Sequence, residues 1–292
     1  MLNLFNCRRQ EKVPTTWGIG GPAEMICRPR GVWKTLRCCE ILQDNGTPYR
    51  ILGGGSNLLV DDRGVEGVVV RPEHDPEDLV IEGSRVQVPA GMALSQLVKT
   101  AGEAGLSGLE FAAGIPGTVG GAAVMNAGWG GEDLSGVIRT VWCYRPGEGM
   151  VELRGGQCRF GYRTSRFQQS GEVVLRVDLE LCPGDREEIS AKIREVLRRR
   201  KEALPLEYPS AGSVFKNPPG DYAGRLIEAA GLKGKTIGGA QISGKHANVI
   251  VNRGAASFQD VMGLIDLARG EVERRFGVTL ELEIKIWEKG AV

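Results

Sequence analysis

Residues Gly108 to Gly131 read Gly-Leu-Glu-Phe-Ala-Ala-Gly-Ile-Pro-Gly-Thr-Val-Gly-Gly-Ala-Ala-Val-Met-Asn-Ala-Gly-Trp-Gly-Gly. No charged residue lies between Phe111 and Gly131, and seven of those positions are glycine. Glycine reaches backbone angles closed to other residues and lets a ligand approach the main chain. Pro116 beside Gly117, then the paired Gly120 and Gly121, predict a backbone wrapped closely around something. Loops of this kind present amide N–H groups that suit anions, phosphate above all. Two other origins stay open for the same run. One is a membrane helix, since Gly117 and Gly121 have the G-x-x-x-G spacing. The other is a glycine-rich loop with a purely structural role. Pro116, Asn126 and the absence of a basic flank weigh against the membrane helix.

Upstream, Tyr49 to Val60 form a second glycine cluster: a short apolar run, Gly53-Gly54-Gly55, Ser56-Asn57, then Leu58-Leu59-Val60. Alone, the three glycines fit a hairpin turn or a ligand loop equally well. They are not the dinucleotide fingerprint, which opens a helix and has an acidic residue about twenty positions later. A strand, loop and strand around phosphate point to a different nucleotide fold.

The 292 residues suffice for two domains with separate cores. A hydrophobic share of 41% and a charged share of 25% are ordinary for a globular protein. A net charge of +1 argues against general attraction to nucleic acid or an acidic membrane. The 43 glycines are about twice the typical ~7% share, and that excess belongs to loops. Seven cysteines, odd in number and without a C-x-x-C pair, follow a start with no apolar signal segment, and the expectation is reduced thiols in the cytoplasm. With only His74 and His246 to add imidazole, no metal is expected.

Along the rest of the chain, Gly20-Gly21-Pro22 predicts a turn into an extended segment. A helix is predicted from Val32 to Asn45 with Leu36, Cys39 and Leu42 inward, and another over Leu94 to Ala101 closed by Gly105. Val68 to Val70, Leu79 to Ile81, Val86 to Val88, Val137 to Tyr144 and Val173 to Leu181 read as strands. Cys182-Pro183-Gly184-Asp185 is the expected domain boundary, giving domains 1–183 and 184–292. Beyond it, Ile189, Ile193, Val196 and Leu197 form a helical stripe, with Arg194, Arg198, Arg199, Arg200 and Lys201 as its solvated face. A helix from Tyr222 to Ala230 and strand-like Ala247 to Asn252 follow. Next comes a helix capped by Ser257, with Val261, Leu264, Ile265, Ala268, Val272 and Phe276 inward, and Val278 to Trp287 reads as a closing strand. The class is α+β.

Three further places look chemical. Phe160-Gly161-Tyr162-Arg163-Thr164-Ser165-Arg166-Phe167 sets arginine forks among aromatics, suited to a carboxylate or phosphate or to plain stacking at the surface. Ser210-Ala211-Gly212-Ser213-Val214-Phe215-Lys216-Asn217 puts a serine on a tight loop; without a nearby histidine it reads as a hydrogen-bonding or proton-donating group, or as a turn serine. Glu283 lies in an alternating charged and aliphatic run, either at a site or facing solvent.

Together, six stretches resemble the UDP-N-acetylenolpyruvoylglucosamine reductase family, in family order and over nearly the whole chain. They are Thr15 to Ala23, Leu52 to Leu59, Ala113 to Gly128, Tyr162 to Ser165, Ala211 to Pro218, and Ile237 to Asn248. The resemblance implies a two-part FAD-binding unit of the vanillyl-alcohol-oxidase/PCMH type plus a smaller α+β C-terminal substrate domain. It implies non-covalent FAD held by Gly53, Gly54, Gly55, Ser56, Asn57, Leu58, Gly114, Ile115, Pro116, Gly117, Thr118, Gly120, Gly121, Asn126, Ala127 and Gly128. NADPH would be the transient co-substrate, and hydride would pass to the enolpyruvyl group of UDP-N-acetylenolpyruvoylglucosamine to give UDP-N-acetylmuramate for peptidoglycan. Arg163 then matches the carboxylate-stabilising arginine, Glu283 the C-terminal glutamate and Ser213 the proton donor. Tyr162, Lys216, Asn217, Gln241, His246 and Asn248 are the implied substrate contacts. The resemblance also implies a cytoplasmic enzyme with no nucleic-acid or membrane partner; the oligomeric state is open, with a monomer favoured. Leu282 stands where the family commonly has proline, and 222–252 is too short for the long tyrosine-bearing loop of the larger variant. Two rivals are an alcohol or sugar oxidase or dehydrogenase on the same fold, which often tethers FAD through a histidine of the first glycine loop, and a non-catalytic UDP-sugar or flavin binder. Neither histidine lies in that loop.

Overall fold

The structure is a computed structural model and describes residues 2–290. The chain is α+β and divides into two compact units. The first comprises Met1–Arg9, Met25–Gly54 and Gly67–Arg199, and the second Gln10–Glu24, Gly55–Glu66 and Arg200–Val292. The division is discontinuous, and the chain passes from the first unit to the second within the first glycine cluster, at Gly54/Gly55.

In the first unit, helix α1 (Val32–Asp44) buries Leu36 and Cys39 against Tyr144, Val173 and Leu175. Each leucine so buried contributes about 1.5–3 kcal/mol. A five-stranded antiparallel sheet runs in the spatial order Gly149–Arg154, Ile138–Arg145, Val173–Glu180, Arg85–Pro89, Val80–Glu82. Its register stacks Val141, Val177 and Val88 across three strands, and all three are fully buried. β-Branched residues suit such cross-strand positions, where they fit the pleat and one another. Helix α2 (Leu94–Glu103) adds Leu94, Leu97, Val98 and Ala101 to this core. Strand Tyr49–Ile51 pairs in parallel with Val68–Val70, so Gly53 and Arg71 both follow the C-terminal ends of adjacent strands.

The wrapped loop expected in the central stretch contains a short helix, α3 (Val119–Met125). Its glycines hid it, because glycine in a helix interior is disfavoured by about 1 kcal/mol relative to alanine. Packing explains Gly120, where a Cβ would lie 2.7 Å from the Ala90 Cβ.

The expectation of seven reduced cysteines fails at one pair. Cys7 and Cys27 are joined by a disulfide, with Cα atoms 4.0 Å apart. Twenty residues separate them in sequence, but Cys7 precedes strand Arg8–Lys12 and Cys27 ends strand Pro22–Cys27, neighbours in one sheet. Burial pushes the thiols of Cys38, Cys39, Cys143 and Cys158 up, so these four are packing groups rather than nucleophiles.

Helix α4 (Arg186–Ala203) reverses two expectations: Arg200 is only 7% exposed, whereas Leu197 is 44% exposed. At about 100° per residue, position 200 falls on the line of Ile189, Ile193 and Val196, and 197 falls at its margin.

The second unit holds a four-stranded antiparallel sheet in the order Ser210–Ser213, Val249–Asn252, Ala240–Ile242, Thr236–Ile237. Helices α5 (Ala223–Ala229) and α6 (Phe258–Phe276) contribute to its core. Ser257 and Asp260 form a capping box at the start of α6, and Gly277 ends it in the left-handed region at φ 65°. Phe276, expected inward, is 40% exposed in the last turn. Trp17 is fully buried in this unit and donates from its indole nitrogen to Ile250 O at 2.8 Å. The expected closing strand is shorter than predicted: only Lys285–Trp287 forms one, in parallel with Leu58–Val60.

Candidate active site

In the first unit the two glycine clusters meet. A Cβ on Gly53 would lie 2.8 Å from Thr118 Oγ1, and one on Gly54 would lie 2.6 Å from Gly117 Cα. Side chains are excluded there by the opposite loop, which leaves main chain facing main chain. The second loop is pinned from behind, because Leu94 N donates to Gly117 O, Val119 N to Met92 O and Gly120 N to Ala90 O, at 2.9–3.0 Å. Thr118 caps α3 by accepting from Gly121 N. A cavity of about 360 Å³ is lined by Arg30, Arg71, Pro72, Glu73, His74, Pro76, Gly91 and Thr118. The arrangement fits FAD: a close, uncharged main-chain cradle for a pyrophosphate, beside a cavity whose lining includes two arginines and a glutamate. The cavity residues were not anticipated, although Arg71 directly follows the strand paired with Tyr49–Ile51.

Arg163 is fastened to the same loop. Its Nη2 donates to Gly128 O at 2.8 Å, and its guanidinium carbon lies 5.5 Å from the Tyr162 ring centroid. Its backbone has φ 54°, in the left-handed region. A non-glycine residue there costs of order 1–3 kcal/mol and persists only where its surroundings hold it. They do so here. Asn126, itself at φ 42° and 1% exposed, donates from Nδ2 to Gly161 O and accepts from Ser135 N, both at 3.0 Å. Ser165 Oγ donates to Val124 O at 2.7 Å. Arg166 and Arg145 both bond the buried Glu172 carboxylate at 2.8 Å. Burial pushes that carboxyl up, but the bonds from Ser170, Arg145 and Arg166 outweigh it and hold the group below the usual range.

The second unit brings Ser213 and Glu283 onto neighbouring segments. Gly212 sits at φ 72°, which turns the chain into Ser213 and Val214. Val214 O accepts from Glu283 N at 2.8 Å, and Lys216 N donates to Glu281 O at 2.8 Å. These bonds flank Leu282 and set Glu283 without the proline. Asn248 is a clamp: its Oδ1 accepts from Phe215 N and its Nδ2 donates to Phe215 O. Asn217 Oδ1 accepts from Ala223 N, and Lys216 Nζ lies 3.4 Å from Glu281. His246 Nδ1 accepts from Asn248 N, and burial holds its imidazole below the ordinary pKa. Gln241 donates to Gly234 O and to Oγ1 of Thr236, its partner on the neighbouring strand.

Asn57, implied by the resemblance to hold FAD, and the Thr15 to Ala23 stretch, which carries no assigned role, are braces in this unit. Asn57 donates from Nδ2 to Glu283 O at 3.0 Å, and its own carbonyl accepts from Lys285 N. Thr16 Oγ1 donates to Ser210 O at 2.7 Å, and Asn252 Nδ2 donates to Trp17 O at 3.0 Å. Among the described residues no group of three or more His, Cys, Asp or Glu side chains is placed to hold a metal ion, and no helix is long and apolar enough to cross a membrane.

Comparison with known proteins agrees with both halves of this picture. Residues 23–144 match the FAD binding domain family, and residues 204–287 match the C-terminal domain family of UDP-N-acetylenolpyruvoylglucosamine reductase. The chain is 47% identical over 286 residues to UDP-N-acetylenolpyruvoylglucosamine reductase 2 of Symbiobacterium thermophilum, covering 96% of this chain and 92% of that one. It is 48% identical over 276 residues to the reductase of Moorella thermoacetica, covering 94% and 91%. The crystal structure of UDP-N-acetylenolpyruvylglucosamine reductase from Thermus caldophilus superposes with a TM-score of 0.81 at 40% identity, covering 96% of this chain and 99% of that one. With two glycine loops in close main-chain contact in one unit, a serine and a glutamate on hydrogen-bonded neighbouring segments in the other, and relatives matched along almost their full length, the chain belongs to the UDP-N-acetylenolpyruvoylglucosamine reductase family of FAD-containing oxidoreductases.

Proposed function

We propose that this enzyme uses NADPH to reduce the enolpyruvyl group of UDP-N-acetylenolpyruvoylglucosamine to the lactyl ether of UDP-N-acetylmuramate. The observation that carries this is the attachment of Arg163 to the second glycine loop through Gly128 O, with its strained turn braced by Asn126. A guanidinium held that firmly beside a cofactor loop is suited to a substrate carboxylate. FAD, once reduced, supplies the hydride for the terminal vinyl carbon.

The chain's own groups do the rest. Arg163 faces the carboxylate into which negative charge spreads from the α-carbon, and it favours that charge more as it grows. Ser213 Oγ gives its proton to the α-carbon, a base strong enough to take one from a hydroxyl within hydrogen-bonding reach. Glu283, held through Val214 next to Ser213, orients or polarises the same carboxyl end. Gly53 to Leu58 and the named residues of Gly114 to Gly128 hold FAD without a covalent bond. Tyr162, Lys216, Asn217, Gln241 and His246 meet the sugar nucleotide. Asn248 contributes through the loop it clamps, since both ends of its amide bond Phe215. Residues 1–183 act mainly on the cofactor and 184–292 on the substrate, in a cytoplasmic enzyme.

Ser213→Ala tests this assignment. Bleaching of the flavin by NADPH should persist, while reoxidation by the enolpyruvyl nucleotide should fall by several orders of magnitude. Equal loss in the two half-reactions would remove Ser213 from the proton-donor role.

A further inference from the structure

The geometry points to Gln168 as a positioning residue that aims the Arg163 guanidinium, an inference that rests on the role proposed above for Arg163. Gln168 closes the single 3-10 turn Arg166–Gln168 that follows the Tyr162-Arg163-Thr164-Ser165 segment. Its Nε2 donates to two carbonyls, Arg163 O at 3.0 Å and Val124 O at 3.1 Å. The first belongs to the residue whose φ is 54°. The second lies in the last turn of α3 and also accepts from Ser165 Oγ. One amide thus ties the carbonyl of the strained residue directly to the helix of the glycine loop.

The consequence is directional. Bonds from Asn126 to Gly161 O and from Ser165 to Val124 O hold the turn on either side of Arg163. Gln168 bonds the oxygen of the peptide that joins Arg163 to Thr164. The N–H of that peptide donates to Gly161 O at 3.2 Å, and Gly161 N donates to Thr164 O at 3.0 Å. The carboxamide holds the carbonyl end of a plane whose amide end the main chain holds, and the orientation of that plane helps set where the Cα–Cβ bond points. Without the carboxamide the carbonyl end of that plane is untethered, the residue shifts part of the way toward the backbone angles that L side chains prefer, and the guanidinium moves off Gly128 O. The chemistry required is two N–H donors on one atom, which a carboxamide has. Methionine and glutamate have the length and lack the donors. A lysine ammonium has them.

Five variants test this in anaerobic stopped-flow followed at the flavin absorbance. In Gln168→Met, FAD binding and bleaching by NADPH should stay within about twofold of wild type, while reoxidation by UDP-N-acetylenolpyruvoylglucosamine slows about a hundredfold at unchanged KM, the scale expected for a misplaced group. Gln168→Glu should lose the same step and serves if the methionine variant folds poorly. Gln168→Lys should recover most of the rate. In an Arg163→Ala background, Gln168→Met should add no further slowing, because a residue acting through Arg163 has nothing left to position. Wild-type reoxidation in Gln168→Met or Gln168→Glu, parallel loss of both half-reactions, or full additivity with Arg163→Ala would overturn the inference. Wild-type reoxidation in Arg163→Ala alone would instead remove the role of Arg163 on which it rests.

Discussion

Replacing Gly54 by alanine puts one methyl group where the two glycine loops touch. The new Cβ would lie 2.6 Å from Gly117 Cα, 3.3 Å from Gly117 C and 3.4 Å from Gly117 N. All three are main-chain atoms, so no side chain can swing aside. Relief to 3.4 Å requires the loops to part by about 0.8 Å, and overpacking of this kind destabilises by about 1–3 kcal/mol. Gly54 does not have a positive φ, so the effect is one of space and not of backbone conformation. If those loops cradle the cofactor, that energy is lost from the FAD complex, and affinity should fall about tenfold to a hundredfold, since ~1.4 kcal/mol is tenfold. Titrating apoenzyme with FAD and following flavin fluorescence measures it, and thermal unfolding of the apoenzyme measures the packing cost separately. Gly136→Ala is the control, because a Cβ there meets nothing within 4 Å and its φ is not positive. A Gly54→Ala enzyme that binds FAD within twofold of wild type would refute the placement of the cofactor between these loops. So would an equal loss in Gly136→Ala.

Other outcomes follow from the same geometry. Asn126→Ala removes two buried hydrogen bonds and leaves a non-glycine residue at φ 42°; denaturant unfolding should show a loss of about 2–4 kcal/mol, and Asn126→Gly, freed of the backbone penalty, should lose less. His246 is held below its ordinary pKa of 6.5 by burial, so the unfolded chain binds its proton first as the pH drops. Its contribution to stability is present above about 6.5 and is lost as the pH falls below that value, and His246→Asn should flatten the dependence of the melting temperature on pH between about 7.5 and 5.5. The Cys7–Cys27 bond closes a span of 20 residues; its reduction should lower unfolding stability by about 3 kcal/mol, and a thiol count on unreduced, denatured protein should find the five free cysteines. Trp17→Ala, at a fully buried indole that donates to Ile250 O, should destabilise by about 3–5 kcal/mol.

Local patterns carried well from sequence to structure. The stripe, the serine cap and the terminal glycine of α6 are visible within its own residues, and so are the alternating strand Val173–Glu180 and the paired glycine loops. What stayed hidden depends on partners far along the chain. Gly120 and Gly121 speak against a helix until Ala90 is known to lie beneath Gly120. Thr16, Trp17 and Asn57 look like loop residues until their bonds to Ser210, Ile250 and Glu283 are seen, across 194, 233 and 226 positions. Arg200 reads as a surface charge because residue type was weighed above its angle on α4. At the site, the groups proposed for the chemistry stood out as unusual residues in unusual company. Their braces, Gln168, Ser165 and Asn248, are ordinary polar residues whose roles lie in which carbonyl or amide they reach.

The most direct measurement adds one equivalent of UDP-N-acetylenolpyruvoylglucosamine, anaerobically and in deuterated water, to enzyme bleached with NADPH. The flavin band should return in a single turnover, the product should carry solvent deuterium at the lactyl α-carbon, and acid should then release FAD from the protein. A flavin that stays bleached, a product without deuterium at that carbon, or a flavin that acid cannot release would contradict the account.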